Sequence, residues 1–137
     1  MAEHFLGNVA VKAIIEREGK ILLVRDVNDA DIWEIPGGRL DTQETPHEGL
    51  RRELKEELGA EIEIGALVYG EQSLHIKKGE WTLFLTFAAS LADDKPFTLA
   101  TDEIAEFRWI SKDELGAQKM YEVYRKGIEA YFRSIEA

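Results

Sequence analysis

The clearest chemical signal in this sequence is a set of three closely spaced glutamates, Glu53, Glu56 and Glu57. At 100° per residue on a helix, Glu56 and Glu57 fall within roughly 60° of Glu53. Two carboxylates at that spacing repel by roughly 3 kcal/mol if the effective dielectric is about 20. A hard divalent cation reverses this effect, because Mg²⁺ and Ca²⁺ take oxygen ligands. The three carboxylates are therefore either a metal site or a solvated helix face, which is the more common case for glutamates on a helix.

Start and stop signals place these glutamates on a predicted helix from about Pro46 to Leu58. Thr45 and Glu48 have the spacing of a capping box, and proline is favoured at the first helical position. Gly59 suits the left-handed position that ends many helices. The predicted core-facing stripe recurs every four residues and consists of Leu50, Leu54 and Leu58.

The whole stretch follows a longer pattern. It reads Gly38, five residues, Glu44, seven residues and then RELKEELGA, which ends at Ala60. This resembles the Nudix box, G-x5-E-x7-R-E-U-x-E-E-x-G-U, in which U is aliphatic. Only Ala60 is smaller than the usual residue. The match covers nine defined positions over 23 residues, so the chain is similar to the Nudix hydrolases and the solvated-face alternative loses ground.

This resemblance implies a fold and a reaction. The fold class is α/β (α+β), a Nudix α/β/α sandwich with a mixed sheet between helices. The reaction is hydrolysis of a nucleoside diphosphate linked to another moiety, in which water attacks phosphorus. The cofactor implied is Mg²⁺, with Mn²⁺ possible.

The resemblance also assigns roles within the stretch. Arg52 is expected to orient the acidic cluster with Glu44 as its partner, and Arg52, Glu53 and Glu56 are candidate catalytic residues. The expected metal ligands are the three box glutamates and a backbone carbonyl of the preceding turn, with one loop glutamate: Gly37, Gly38, Glu53, Glu56, Glu57 and Glu103.

Outside the stretch, the resemblance suggests Glu103 as a metal ligand or general base. Asp102 and Glu106 compete for that role, and a solvated acidic loop is an equal alternative. Arg25 and Arg39 lie where related triphosphate pyrophosphatases place basic phosphate contacts. Separately, Gly49 inside the predicted helix costs roughly 1 kcal/mol against alanine, which suggests close approach of a loop or ligand.

The substrate is less determined. The string WEIPGG at residues 33–38 resembles the nucleoside triphosphate group, which favours hydrolysis of a (deoxy)nucleoside triphosphate to monophosphate and pyrophosphate. Hydrolysis of ADP-ribose or a nucleotide sugar is the alternative. A non-catalytic nucleotide-binding regulator is a further one, which the complete set of box glutamates disfavours.

Composition sets the remaining expectations. The 137 residues suit one domain, 1–137, and the net charge of −10 argues against broad nucleic-acid binding. No apolar run approaches a membrane span, cysteine is absent, and the N-terminus lacks a basic, secretory-type start. We therefore expect a cytoplasmic monomer or homodimer with a small-molecule nucleotide substrate and neither nucleic acid nor membrane as partner.

Periodicity predicts the other elements. The final helix carries an apolar face from Tyr121 to Ile135, and Ser111 with Glu114 resembles a second helix start. A turn is predicted at Gly37–Gly38 and another at 75–79. The predicted strands are 8–16, 21–25, 61–70, 81–89 and 107–110, and the final helix is 118–135.

Overall fold

The computed structural model describes residues 3–75 and 78–136. In chain order, its elements are β1 (Asn8–Arg17), β2 (Lys20–Asp26), β3 (Gly37–Arg39), α1 (Pro46–Leu58), β4 (Ile62–His75), β5 (Glu80–Leu91), β6 (Ile104–Ser111), a 3-10 helix (Lys112–Ala117) and α2 (Glu122–Ile135).

The strands form one mixed sheet in the order β4-β5-β1-β2-β6, and β3 pairs with β1 off this path. The β1–β5 pairing is parallel. The pairings of β1 with β2 and β3, of β2 with β6 and of β4 with β5 are antiparallel. The central strand β1 therefore connects the regions of the sheet and also carries β3, the element next to the acidic stretch.

A helix covers each face of the sheet. The core under α1 contains Leu50, Leu54 and Leu58, all fully buried, against alternate residues of β1 such as Val11. The core under α2 contains Ile14 of β1 together with apolar residues of the helix. Successive side chains of β1 therefore lie on opposite faces of the sheet and belong to two separate cores. This arrangement confirms the expected α/β class and the mixed sheet between helices.

The helix α1 has the predicted bounds and the predicted caps. The Glu48 N–H donates to Thr45 Oγ1 at 3.2 Å, and the Thr45 N–H donates to Glu48 Oε1 at 2.9 Å. Gly59 ends the helix with φ of 63°, a left-handed conformation that glycine adopts without a Cβ penalty. Local sequence signals alone therefore define this element.

The predicted start of α2 was wrong by four residues. Helix α2 begins at Glu122 rather than residue 118, since Gln118 is extended and the segment before the helix is held elsewhere. The Trp33 N–H donates to the Lys119 carbonyl at 2.8 Å, and Arg125 donates to the Gln118 carbonyl at 2.7 Å. Tertiary hydrogen bonds therefore replaced the first predicted turn of helix.

The exposed ends of α2 also differ from the prediction. Tyr121 and Ile135, assigned to the apolar face, are 43% and 51% exposed, because they lie at the two ends of the helix. The predicted start at Ser111 is a 3-10 helix in which Ser111 Oγ donates to Glu114 Oε1 at 2.7 Å.

Two of the predicted strands were too short. Strand β4 continues to His75 and stays paired with β5 down to Glu80, so polar residues after residue 70 belong to an edge strand. Strand β6 begins at Ile104, three residues earlier than expected. The turn predicted at 75–79 includes residues 76 and 77, which lie outside the described residues. The predicted Gly37–Gly38 turn belongs to the short strand β3.

Candidate active site

The Gly37–Gly38 backbone joins β1 to the acidic helix. Gly37 has φ of 139°, and a Cβ there would lie 2.0 Å from the Val11 carbonyl oxygen, so glycine is required at this position. The Gly37 N–H donates to Glu57 Oε1 at 3.0 Å. A Cβ on Gly38 would lie 2.4 Å from Glu53 Oε2. The absence of side chains here lets the backbone contact two box glutamates directly.

The Arg52 guanidinium contacts three carboxylates, those of Glu44, Glu53 and Glu56. Its Nε and Nη2 donate to the two oxygens of Glu44 at 2.6 and 2.9 Å, a bidentate pair. Its Nη1 donates to Glu53 at 2.9 Å and to Glu56 at 3.2 Å. Its Nη2 also reaches the Arg39 carbonyl at 3.1 Å. The predicted partnership of Arg52 with Glu44 is therefore present, and the same guanidinium contacts Glu53 and Glu56; its role in orienting the cluster stays a prediction.

These contacts shift the protonation equilibria of the pair. The Arg52 guanidinium and the Asp41 N–H lower the pKa of Glu44 to about 2. Hydrogen bonds to Glu44 and Glu53 raise the pKa of Arg52 above its ordinary value, although burial opposes this. Both groups are consequently charged throughout the neutral range.

The three box glutamates differ in environment. Glu57 is buried at 8% exposure, and burial raises its pKa to about 8, although Lys12 and the Gly37 N–H oppose that shift. The pKa of Glu53 is also raised, chiefly by burial and against the effect of Arg52. The Glu56 side chain is 52% exposed. One helix therefore presents carboxylates from the core boundary to the solvent.

A buried lysine beneath this site was missed by the sequence analysis. Lys12 of β1 is 4% exposed and its Nζ lies 3.4 Å from both Glu34 Oε1 and the Gly37 carbonyl. Burial acts to lower the pKa of Lys12, but Tyr124, Glu34 and Glu57 raise it by more, so the group is a cation. A lone lysine within the apolar string NVAVKAII was the available signal.

The donor chemistry of this site fits a hard divalent cation. Carboxylate and carbonyl oxygens converge on the β3–α1 junction, and the buried Glu57 carboxylate has a raised pKa that a bound cation would lower. Among residues 3–75 and 78–136, no three acidic or histidine side chains are already grouped around one point. A metal site would therefore be completed by side-chain rotation or by substrate oxygens. The ligands assigned to it stay predictions: Gly37, Gly38, Glu53, Glu56, Glu57 and Glu103.

Gly49 supports the predicted close approach of a loop. A Cβ at this helix position would lie 2.5 Å from Leu40 Cδ1 and 3.1 Å from Glu44 Oε1. The neighbour is thus the segment that carries Glu44, which folds back against α1. The small residue allows Glu44 to approach Arg52 from outside the helix.

Glu103 lies in an exposed turn directly before β6. Its backbone is held on both sides: its N–H donates to the Ala100 carbonyl, and its carbonyl accepts from the Val27 N–H, both at 2.9 Å. The Ala100 N–H in turn donates to the Glu57 carbonyl at 3.0 Å, which links this loop to the end of α1. The role of Glu103 as a ligand or base stays a prediction.

The two competitors differ from Glu103. Asp102 is exposed in the same turn. Glu106 lies within β6 and forms ion pairs with Arg25 and with Arg108, the latter at 2.7 Å. The hydrogen bond from Arg108, with the nearby Arg25, lowers the pKa of Glu106. Glu106 is therefore engaged as the counter-ion of two arginines.

The two arginines predicted to contact phosphate are in different surroundings. Arg25 donates to the Ala30 carbonyl at 2.7 Å, pairs with Glu106 and lies 4.8 Å from the Trp33 ring centroid. Arg39 is more exposed and pairs with Glu80 at 2.8 Å. Arg39 follows the glycine turn directly, whereas Arg25 is held by the loop after β2. Phosphate binding by either residue stays a prediction.

Comparisons with known proteins indicate the family of this chain. The NUDIX domain model matches residues 6–131. Phosphatase NudJ of Escherichia coli (strain K12) is 31% identical over 112 residues, which are 81% of this chain and 72% of that protein. CTP pyrophosphohydrolase of Escherichia coli (strain K12) is 45% identical over 65 residues, so that match spans 45% of this chain and 48% of that protein.

Solved structures agree as well. A NUDIX hydrolase from Nitrosomonas europaea has a TM-score of 0.83 at 27% identity, covering 94% of this chain and 90% of that one. The Escherichia coli ORF135 protein has a TM-score of 0.75 at 27% identity, covering 92% of this chain and 89% of that one. The chain belongs to the Nudix family. This membership confirms the expected enzyme class, a Nudix pyrophosphohydrolase acting on nucleotide-like substrates.

Within the described part of the chain, no helix combines the length and apolar character needed to cross a membrane.

Proposed function

We propose that this protein hydrolyses a (deoxy)nucleoside triphosphate to a nucleoside monophosphate and pyrophosphate with Mg²⁺ as cofactor. The observation that carries the proposal is the junction of β3 and α1. There Arg52 holds Glu53 and Glu56 at 2.9 and 3.2 Å, and the Gly37 N–H holds Glu57 at 3.0 Å. Phosphoryl transfer needs charge neutralisation, positioning and activated water more than covalent help from the protein.

The residues of this junction have separable tasks. Glu53, Glu56 and Glu57 would hold Mg²⁺ together with a carbonyl oxygen of Gly37 or Gly38. When bound, Mg²⁺ would neutralise phosphate charge and favour deprotonation of water. Arg52 keeps two of these carboxylates in place through Nη1 while Glu44 holds the opposite edge of its guanidinium. The chain itself therefore mainly supplies a fixed array of oxygen atoms.

The negative net charge of the chain explains why phosphate binding requires positively charged side chains at the site. A chain of net charge −10 repels a polyphosphate, so attraction must be local. Arg39 is the candidate contact beside the two glycines, because its side chain is 58% exposed and only Glu80 pairs with it among the described residues. Arg25, already engaged by Glu106 and Ala30, would have to exchange partners to bind phosphate.

The choice of a triphosphate rests on two supports. One is the WEIPGG string at residues 33–38. The other is similarity to a relative named CTP pyrophosphohydrolase, which extends over 48% of that protein. ADP-ribose and nucleotide sugars share the pyrophosphate link and differ only in the leaving group. They are therefore the alternative substrates of the same site.

A turnover screen tests the proposal. The purified protein would be incubated with Mg²⁺ and with triphosphates, ADP-ribose, nucleotide sugars and dinucleotides, and the products would be separated by ion-exchange chromatography. We expect monophosphate and pyrophosphate from at least one triphosphate, with the highest kcat/KM in that class. Chelation with EDTA should abolish turnover and added Mg²⁺ should restore it. Preference for ADP-ribose or a sugar nucleotide would reject the triphosphate assignment, and Mg²⁺-binding without turnover of any substrate would favour a regulator.

A further inference from the structure

We infer that Lys12 is a positioning residue that holds the Gly37 carbonyl for the metal site. The inference rests on the proposed function, because it concerns the same Mg²⁺-binding junction. Lys12 Nζ donates to the Gly37 carbonyl oxygen and to Glu34 Oε1, each at 3.4 Å. Buried lysines are rare, and here the ammonium lies directly behind the turn that contacts the box glutamates.

Backbone pairing alone is sufficient to bring Lys12 and Gly37 together. They are register partners in the antiparallel pairing of β1 with β3. A Cβ on Gly37 would lie 2.9 Å from Lys12 Cα, so the backbones of β1 and β3 are in close contact. Because β1 is central in the sheet, it gives the short strand β3 a rigid support.

The ammonium group has no evident role toward substrate. Its three N–H donors face Glu34, the Gly37 carbonyl and the ring of Tyr124, whose centroid lies 5.0 Å away. At 4% exposure Lys12 is closed to solvent. A carbonyl oxygen has two lone pairs, so the Gly37 oxygen can accept from Lys12 and still offer one lone pair to a cation.

Two physical effects predict opposite outcomes when this charge is removed. Loss of a nearby positive charge would by itself strengthen Mg²⁺ binding, because like charges repel. Loss of the hydrogen bond would free the Gly37 carbonyl and weaken Mg²⁺ binding. If Lys12 is a positioning residue, the second effect dominates, since partners that orient a metal ligand typically change affinity by about 10–100-fold.

The central variants are Lys12→Met and the double variant Lys12→Met/Glu34→Met. The single variant leaves the Glu34 carboxylate without its buried partner, which can impair folding. The double variant removes both members of the ion pair, which proteins tolerate better when volume is conserved. Lys126→Met is the matched control, because Lys126 Nζ also lies 3.4 Å from a glutamate, Glu71, but on the exposed surface of α2.

Mg²⁺ binding without substrate is measured by titration calorimetry. We expect the affinity of the double variant to fall at least about tenfold relative to Glu34→Met, which removes the same nearby carboxylate charge, and that of Lys126→Met to remain within about twofold of the wild type. At saturating Mg²⁺, KM for the nucleotide should stay unchanged while the Mg²⁺ concentration for half-maximal rate rises. Mg²⁺ binding by a folded double variant that is as tight as, or tighter than, that of Glu34→Met would overturn the inference.

The wild-type protein provides a test that needs no variant. In ¹⁵N-labelled protein, a buried and hydrogen-bonded ammonium exchanges slowly enough for its ¹⁵Nζ signal to be observed. We expect that signal for Lys12 and a shift of it on addition of Mg²⁺. If wild-type protein binds Mg²⁺ while the Lys12 signal does not shift, the inference is wrong. If wild-type protein does not bind Mg²⁺, the proposed function itself fails.

Discussion

The two helices pack on the sheet by the same rule but differ in what borders the packed stripe. On α1 the buried leucines are bordered by Glu53 and Glu57 at the edge of the core, and Arg52 binds Glu53 and Glu56. On α2 the buried stripe ends in Phe132, Thr86 of the sheet faces Gly127, and the buried Lys12 of β1 lies against Tyr124. The apolar stripe explains why each helix packs on the sheet, whereas the grouped carboxylates beside the stripe distinguish α1 as the helix of the proposed site.

Cavity size does not distinguish the α1 side of the sheet as the functional one. A cavity of about 620 Å³ lies between the 3-10 helix and α2, lined by residues such as Leu115, Ile128 and Phe132. The α1 junction instead brings carboxylates, backbone N–H groups and an arginine within hydrogen-bond distance of one another. We therefore assign function by the convergence of charged groups rather than by available volume.

The largest expected effect concerns the carboxylates of α1. Glu56→Gln and Glu57→Gln should each lower kcat/KM at least about a hundredfold, because each removes a charge that supports the transition state. Glutamine keeps the volume and one acceptor oxygen, so circular dichroism should show an unchanged fold. Glu129→Gln, an exposed position on α2, serves as the control and should retain turnover. Near wild-type rates for both α1 variants would remove the distinction between the helices.

A second effect tests whether the chemistry extends beyond α1. Glu103→Gln should lower kcat at least about tenfold if this carboxylate takes a proton from water. Mg²⁺ binding to the free enzyme should stay nearly intact. Asp102→Asn and Glu106→Gln should have much smaller effects on kcat. If one of these two is instead the most impaired variant, the assignment of the loop residue is wrong, and if none is impaired, the base lies on α1.

A substitution on the buried face of α2 should lower the stability of the protein rather than its turnover rate. Ile128 is 3% exposed within the core beneath α2, and Ile128→Ala should lower the free energy of unfolding by about 2–5 kcal/mol. Urea denaturation would measure the loss, and kcat of the folded fraction should be unchanged. A large fall in kcat at full folding would show that α2 also contributes to catalysis.

The smallest effect compares one buried glycine from each helix. A Cβ at Gly127 would meet Thr86 Cγ2 at 3.4 Å, whereas one at Gly49 would meet Leu40 at 2.5 Å and Glu44 at 3.1 Å. Gly49→Ala should therefore be less stable than Gly127→Ala by about 1–3 kcal/mol, because it forces the loop outward. It should also lower kcat, since Glu44 holds Arg52. Equal stability and equal rates in the two variants would contradict this packing role.

The features that could be predicted from the sequence are those determined by local rules. Capping signals defined α1, and the four-residue spacing identified its buried leucines. The partnership of Arg52 with Glu44 followed from family resemblance and is present in the structure. These features depend on contacts between residues close in sequence.

Errors arose where distant residues decide the outcome. The start of α2 is set by hydrogen bonds from Trp33 and Arg125 to the preceding segment. Strand β4 extends through polar residues because β5 supplies partners for its backbone. The place of Lys12 depends on a pairing between β1 and β3 across 25 residues of chain, which composition cannot reveal.

The most direct measurement is a map of where a divalent cation binds. Mn²⁺ added at low ratio to ¹⁵N-labelled protein broadens the amide signals nearest to it. We predict that signals of Gly37, Gly38 and the second half of α1 broaden first, that those of the Glu103 turn follow, and that those of α2 remain sharp. Added Mg²⁺ should reverse the broadening by competition. Broadening centred on α2, or spread evenly over the acidic surface, would contradict assignment of the metal site to the β3–α1 junction.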